Sequence, residues 1–291
     1  MVKTYSQIYM DCRRALRTQE EDRDASFLAR NLLCHFTGKS MEKILTDMDQ
    51  YASEELCLSM EDATKRLLNQ EPLAYILGEW EFYGLKLHVT PDVLIPRDDT
   101  CAVVQLAISQ ALFLPDAPRV LDLCTGSGCI GLAIASRVKD ARVTLADISK
   151  EAMAVAKRNV VDHKMSNRVS VVHVNALEAP PAFLGKFDMI VSNPPYITGE
   201  EMKGLDRSVT DFEPHLALYG GEDGLNFYRA IAKNYAAVLK PGGYLAFEYG
   251  DTQAEDVRRI LEENGYTVLE QVRDFNERER AVLAQYSGKE E

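Results

Sequence analysis

No stretch of this 291-residue sequence approaches the ~20 consecutive apolar residues that a membrane span requires. The opening Met-Val-Lys-Thr-Tyr-Ser-Gln also lacks the apolar run of a secretory signal. A cytoplasmic protein with no membrane partner is therefore expected. Cys12, Cys34, Cys57, Cys101, Cys124 and Cys129 include no C-x-x-C pair, and the five histidines show no H-x-x-x-H spacing. A structural zinc or a disulfide scaffold is thereby excluded, and no metal site is expected. Basic charge is short as well: 33 Lys and Arg face 45 Asp and Glu, for a net charge of −12. The deficit hides no basic module, because residues 1–75 hold 10 basic and 13 acidic side chains and the remainder 23 and 32. Direct nucleic-acid binding is disfavoured, and a protein or small-molecule partner is favoured. What is present is ordinary globular composition, with 46% hydrophobic and 27% charged residues, in a length suited to about two domains.

From Tyr5 to about Leu68 apolar residues recur at helical spacing, as in Ile8, Cys12, Ala15 and Leu16, and again in Phe27, Leu28, Leu32 and Leu33. Gly38 punctuates the pattern, and Ser40 and Ser53 stand where helix N-caps are expected. This predicts an all-helical domain over residues 1–73. Periodicity breaks at Glu71-Pro72, and the aromatic, alternating segment from Tyr75 to Val89 predicts a β-hairpin linker within 74–92. Helical spacing resumes from Thr100 to Phe113 before Pro115 and Pro118. From Arg119 on, β-branched runs alternate with helical stretches, which predicts a doubly wound α/β domain over 93–291 with a mostly parallel, seven-stranded sheet. Its helices include one from Gly224 to Leu239, and its last two strands follow one another as an edge hairpin. Only the final Ser-Gly-Lys-Glu-Glu reads as frayed.

Val120-Leu-Asp-Leu-Cys-Thr-Gly-Ser-Gly-Cys-Ile-Gly131 is a strand entering a glycine loop and then a helix, an arrangement that lets a ligand approach the backbone. Asp147 follows at the end of the next strand, where a carboxylate can accept hydrogen bonds from both hydroxyls of a ribose. The pattern also fits a nicotinamide dinucleotide. Asp122, ahead of the loop, would repel a pyrophosphate but suits the ammonium of an aminoacyl ligand, which favours S-adenosylmethionine. Asn175, just after the third strand, is either an adenine contact or a turn residue that satisfies its own backbone.

Asn193-Pro-Pro-Tyr196 comes directly after the buried-strand run Phe187–Ser192. It therefore belongs at the carboxyl end of that strand, beside the glycine loop, where open α/β sheets bind ligands. Two successive prolines stiffen the loop and leave carbonyl acceptors. With the Asn193 oxygen, those acceptors suit a planar –NH2 group aimed at an electrophilic methyl, and Tyr196 is placed to stack on it.

These segments resemble class I methyltransferases that use S-adenosylmethionine on conjugated amino groups. Ile95-Pro-Arg-Asp-Asp-Thr, Glu81-Phe-Tyr83, Phe212-Glu-Pro214 and Arg273-Asp-Phe-Asn-Glu-Arg-Glu-Arg280 narrow the resemblance to the bacterial peptide chain release factor glutamine methyltransferases, over nearly the whole chain. The resemblance implies methylation of the glutamine amide in the Gly-Gly-Gln motif of release factors, by a monomer that leaves S-adenosylhomocysteine and grips the factor with its helical domain. Cofactor contacts are implied for Asp122, Cys124, Thr125, Gly126, Ser127, Gly128, Asp147, Ile148, Asn175, Ala176 and Asn193. Asn193, Pro194, Pro195 and Tyr196 are implied to bind the substrate amide, with Asn193, Pro194 and Tyr196 catalytic. Two positions depart from the family pattern: Cys124 stands where glycine is usual, and Cys101 ends a segment that usually closes in glutamate. A glutamine of a ribosomal protein, a flipped adenine in DNA and a noncatalytic docking module are the competing readings.

Overall fold

A computed structural model describes residues 3–114 and 116–287; Pro115 and the end of the expected frayed tail, residues 288–291, lie outside the described residues. The chain divides into two compact units, Met1–Gly78 and Glu79–Glu291.

The first unit is helical: α1 (Tyr5–Leu16), α2 (Asp22–Thr37), α3 (Met41–Thr46), α4 (Glu54–Leu68) and α5 (Leu73–Leu77). Thr4 and Gln7 form a capping box at α1, and Ser40 and Ser53 accept from Lys43 N and Leu56 N at the starts of α3 and α4. Ile8, Cys12 and Leu16 of α1 are buried, as are Ala25, Ala29, Leu32 and Leu33 of α2. Phe27, which the periodicity groups with that stripe, is half exposed; the small side chains of Ala25 and Ala29 form the buried edge instead. Helix α5 occupies residues that alternation assigns to the hairpin. Pro72 opens it and Gly78, in the left-handed region, closes it after little more than a turn.

The second unit opens with the antiparallel hairpin β1 (Glu79–Phe82) and β2 (Leu85–His88). It is no free linker. Phe82 and Leu87 are buried in the core of this unit, and the Asn159 side chain bonds both the N–H and the carbonyl of His88. Then follow α6 (Cys101–Ala111), β3 (Arg119–Leu123), α7 (Cys129–Arg137), β4 (Arg142–Asp147), α8 (Lys150–Asp162), β5 (Val169–His173) and β6 (Phe187–Ser192). The long connection after β6 holds β7 (Ile197–Thr198), α9 (Arg207–Thr210) and β8 (Tyr219–Gly221). The unit finishes with α10 (Asn226–Asn234), β9 (Leu239–Glu248), α11 (Ala254–Glu263), β10 (Tyr266–Arg273) and β11 (Glu279–Tyr286).

Seven strands form one sheet in the order β10-β11-β9-β6-β3-β4-β5, in which only β11 runs against its neighbours. The expected helix to Leu239 continues past α10 as a 3-10 segment, Tyr235–Val238, and ends where Leu239 pairs with Phe187; the register then shifts past Lys240-Pro-Gly-Gly243 before Met189 meets Tyr244. A proline has no N–H for the ladder and is accommodated at such a bulge. From β3 the chain winds outward through β4 and β5, then returns to β6 on the other side of β3. The resulting crevice at the carboxyl ends of β3 and β6 is the topological switch point. No helix among the described residues is long and apolar enough to cross a membrane.

Candidate active site

At the end of β3 the backbone turns sharply, with Cys124 at φ 57°, Gly126 at φ 53° and Gly128 at φ 85°. Asp122 governs this turn. Its Oδ2 accepts from Thr125 Oγ1 at 2.6 Å and from the Gly131 N–H at 2.9 Å, so a strand carboxylate caps α7, whose own N-cap is a glycine. Asp122 is 0% exposed, and burial pushes its carboxyl up to about 7 despite those two donors. It therefore braces the loop from behind, with Oδ1 left unpartnered, and is not among the residues that line the cleft. Thr125 and Ser127 are likewise buried in the loop's own framework, and neither they nor Gly128 form part of the cleft wall.

Gly131 shows how tight this packing is. A methyl group there would lie 2.2 Å from Leu145 Cδ2 and 3.0 Å from Asp122 Oδ2. Gly131→Ala is expected to destabilise the protein by about 1–3 kcal/mol, read as a lowered Tm in a thermal melt with and without cofactor.

The cleft lies in front of the loop and encloses about 870 Å3 including its open mouth. Cys124, Gly126, Asp147, Ile148, Asn175, Ala176, Asn193 and Pro195 all line it, so four strand ends deliver expected residues to one wall. Asp147 Oδ2 accepts the Gly126 N–H and Oδ1 the Ser149 N–H, both at 2.9 Å. Burial raises its pKa and those amides oppose the rise. The carboxylate is thus fixed in orientation, with lone pairs remaining on both oxygens. Gly126 has open space where a side chain would stand. Asn175 follows the turn reading: its Oδ1 accepts from Leu177 N at 3.0 Å while the residue still contributes to the wall.

The Asn193–Tyr196 segment reaches the cleft because Ser192 pairs with Leu123 in the parallel β3–β6 register, and its Oγ donates to the Leu123 carbonyl at 2.7 Å. Asn193 Nδ2 donates to Thr100 Oγ1 at 3.3 Å. Pro194 is buried and does not line the cleft. Tyr196 is also off the wall; its ring packs against the core, and its carbonyl accepts from Gln253 Nε2 at 3.1 Å. Gly220 lies against the same segment so closely that a methyl would sit 2.6 Å from the Pro195 oxygen.

Much of the remaining wall carries no motif chemistry: Val93, Leu94, Ser149, Leu177, Leu216 and Phe227 are mostly apolar side chains from five separate segments, and Asp92 and Pro214 also line the cleft. Behind Asn193, the motif segments meet. Arg97 pairs with buried Glu213, joining Ile95-Pro-Arg97 to Phe212-Glu-Pro214. Arg280 pairs with Asp274 at 3.1 Å and Asp99 at 3.4 Å, joining the final hairpin to the same place. Among the described residues no group of His, Cys, Asp and Glu is arranged to hold a metal ion.

Residues 7–78 match the family model described as PrmC N-terminal domain, and residues 105–216 that described as methyltransferase small domain. The release factor glutamine methyltransferase of Clostridium acetobutylicum is 40% identical over 257 residues, 88% of this chain and 90% of that protein. That of Geobacter sulfurreducens is 38% identical over 251 residues, 86% of each. A solved methyltransferase structure from Pyrococcus furiosus shares the fold with a TM-score of 0.51 at 20% identity, covering 79% of this chain and 100% of that one.

Proposed function

Given that this chain belongs to the release factor glutamine methyltransferase family, we propose that its cleft holds S-adenosylmethionine against the side-chain amide of a release factor glutamine. The enzyme methylates that amide nitrogen. When bound, the cofactor supplies an electrophilic methyl carried on a sulfonium.

The residues present fit such a cofactor. Asp147 offers two fixed acceptor oxygens for the ribose hydroxyls, Ile148, Ala176, Leu177 and Phe227 give an apolar bed for a base, and Gly126 leaves the backbone approachable. Asn193 Oδ1 is assigned to an N–H group of the substrate amide. An amide nitrogen is a weak nucleophile because its lone pair is delocalised. Asn193 and the prolines that hold it therefore contribute orientation and exclusion of water, and the Asn193 oxygen accepts its N–H group more strongly as amide resonance weakens and charge develops on nitrogen. The methylated nitrogen is acidic enough to release its proton to this oxygen or to water. The helical unit is assigned the grip on the release factor.

One observation carries this reading: Gly126, Asp147 and Asn193, from three strand ends, share one cleft wall. Mass spectrometry of a recombinant release factor incubated with enzyme and cofactor is expected to find one added methyl on the Gly-Gly-Gln glutamine. Methyl appearing only on ribosomal protein, or only on duplex DNA, would reassign the substrate.

A further inference from the structure

Strand β9 runs parallel to β6 with Phe247 opposite Ser192, so Glu248 emerges beside Asn193. Glu248 is 1% exposed, and its Oε2 has no hydrogen-bond partner. Thr100, also buried, and Asn193 both lie near enough to this carboxyl to favour its ionised form, and Asn193 Nδ2 donates to Thr100 Oγ1.

The two ends of an asparagine amide are nearly the same size, so shape alone does not decide which one faces a ligand. The polarity of the groups behind it does. An ionised carboxylate only accepts, so it takes the Thr100 hydroxyl proton and an Asn193 N–H. Thr100 Oγ1 then has a lone pair, and no proton, to offer the Asn193 amide. Both contacts claim Nδ2 and leave Oδ1 for the cleft. Protonation of Glu248 reverses the sequence: it donates to Thr100, which can then donate to Oδ1 and turn Nδ2 toward the substrate –NH2, donor against donor.

We propose that Glu248, acting partly through Thr100, is the positioning residue that sets Asn193 with its oxygen toward the glutamine amide. This rests on the reading of Asn193 as an amide-binding residue.

Burial pushes the Glu248 carboxyl up to about 7, against hydrogen bonds from Thr100 and Asn193 and the nearby Arg280 cation, while Asp99 adds to the rise. The other ionisable groups facing it are Tyr196, Tyr228, Cys101 and Cys129, all raised by burial. A group that works ionised loses its function as pH falls, so turnover should drop on the acid side.

The test measures kcat on a recombinant release factor between about pH 6 and 8.5, and cofactor Kd by calorimetry, for wild type and Glu248→Gln. Expected is a wild-type kcat that rises through one proton step. In Glu248→Gln kcat should fall on the order of 10- to 100-fold, the step should vanish, and cofactor Kd should stay within about twofold. Thr100→Val should lower kcat in the same way, and Thr100→Ser should restore most of it. Wild-type turnover in Thr100→Val, a retained pH step in Glu248→Gln, or parallel loss of cofactor affinity would overturn the proposal. If the underlying reading of Asn193 is what fails, Asn193→Ala itself keeps its kcat.

Discussion

Asn193→Ala is expected to reduce kcat on a release factor on the order of 100- to 1000-fold, about 3–4 kcal/mol of transition-state stabilisation, with little change in cofactor affinity. Asn193 is half-buried on the cleft wall, and its amide nitrogen is already engaged by Thr100. On the proposed function, its oxygen is the atom left for the substrate. A preorganised acceptor matters most when the substrate amide leaves resonance and its N–H groups become more acidic, so the loss falls on turnover rather than on binding. Truncation to alanine admits water where the planar group would sit and also frees Thr100 from its partner. Single-turnover methylation followed by mass spectrometry, beside calorimetry with the cofactor, separates the two quantities. A variant with wild-type turnover would remove Asn193 from the chemistry.

Asp147→Ala should show the opposite division. Two hydrogen bonds to an ionised acceptor, each contributing about 1.5 kcal/mol or more, predict cofactor Kd weaker on the order of 100-fold. At saturating cofactor, kcat should change by less than about tenfold, since Asp147 is assigned to the ribose and not to the substrate amide. The variant also leaves the Gly126 and Ser149 N–H groups without their acceptor, so some of the affinity loss reflects a looser loop. Asp147→Asn retains one acceptor and should fall between. The wild-type pH dependence has a defined sign: burial raises this carboxyl, protonation removes its capacity to accept from both hydroxyls, and affinity therefore weakens as pH falls. Unchanged Kd in Asp147→Ala would place the ribose elsewhere.

The sheet was legible because its signals are local. Val120–Leu123, the loop glycines and Asp147 follow one another within a single β-α-β unit, and Phe187–Ser192 is an apolar run ended by two prolines. What stayed hidden is the direction in which side chains point and what they meet from afar. Asp122 and Tyr196 carry suitable chemistry beside the cleft, yet one caps α7 and the other packs into the core. Alternation along a strand or spacing in a loop cannot distinguish those outcomes. Thr100 and Asn193 are 93 residues apart, and no sequence pattern announces a contact of that kind. Helix α5 escaped because five residues are too few for a 3.6-residue period to declare itself.

The reversed strand β11 has a topological consequence. Parallel strands offer a crevice only their final residues, whereas a strand inserted upside down offers its first. Ala281 lies opposite Glu248, so the chain enters β11 at the rim where β9 leaves it, and Arg280 arrives there as the strand begins. One inversion near the end of the polypeptide thereby brings a guanidinium from the final hairpin to the rim where β9 ends.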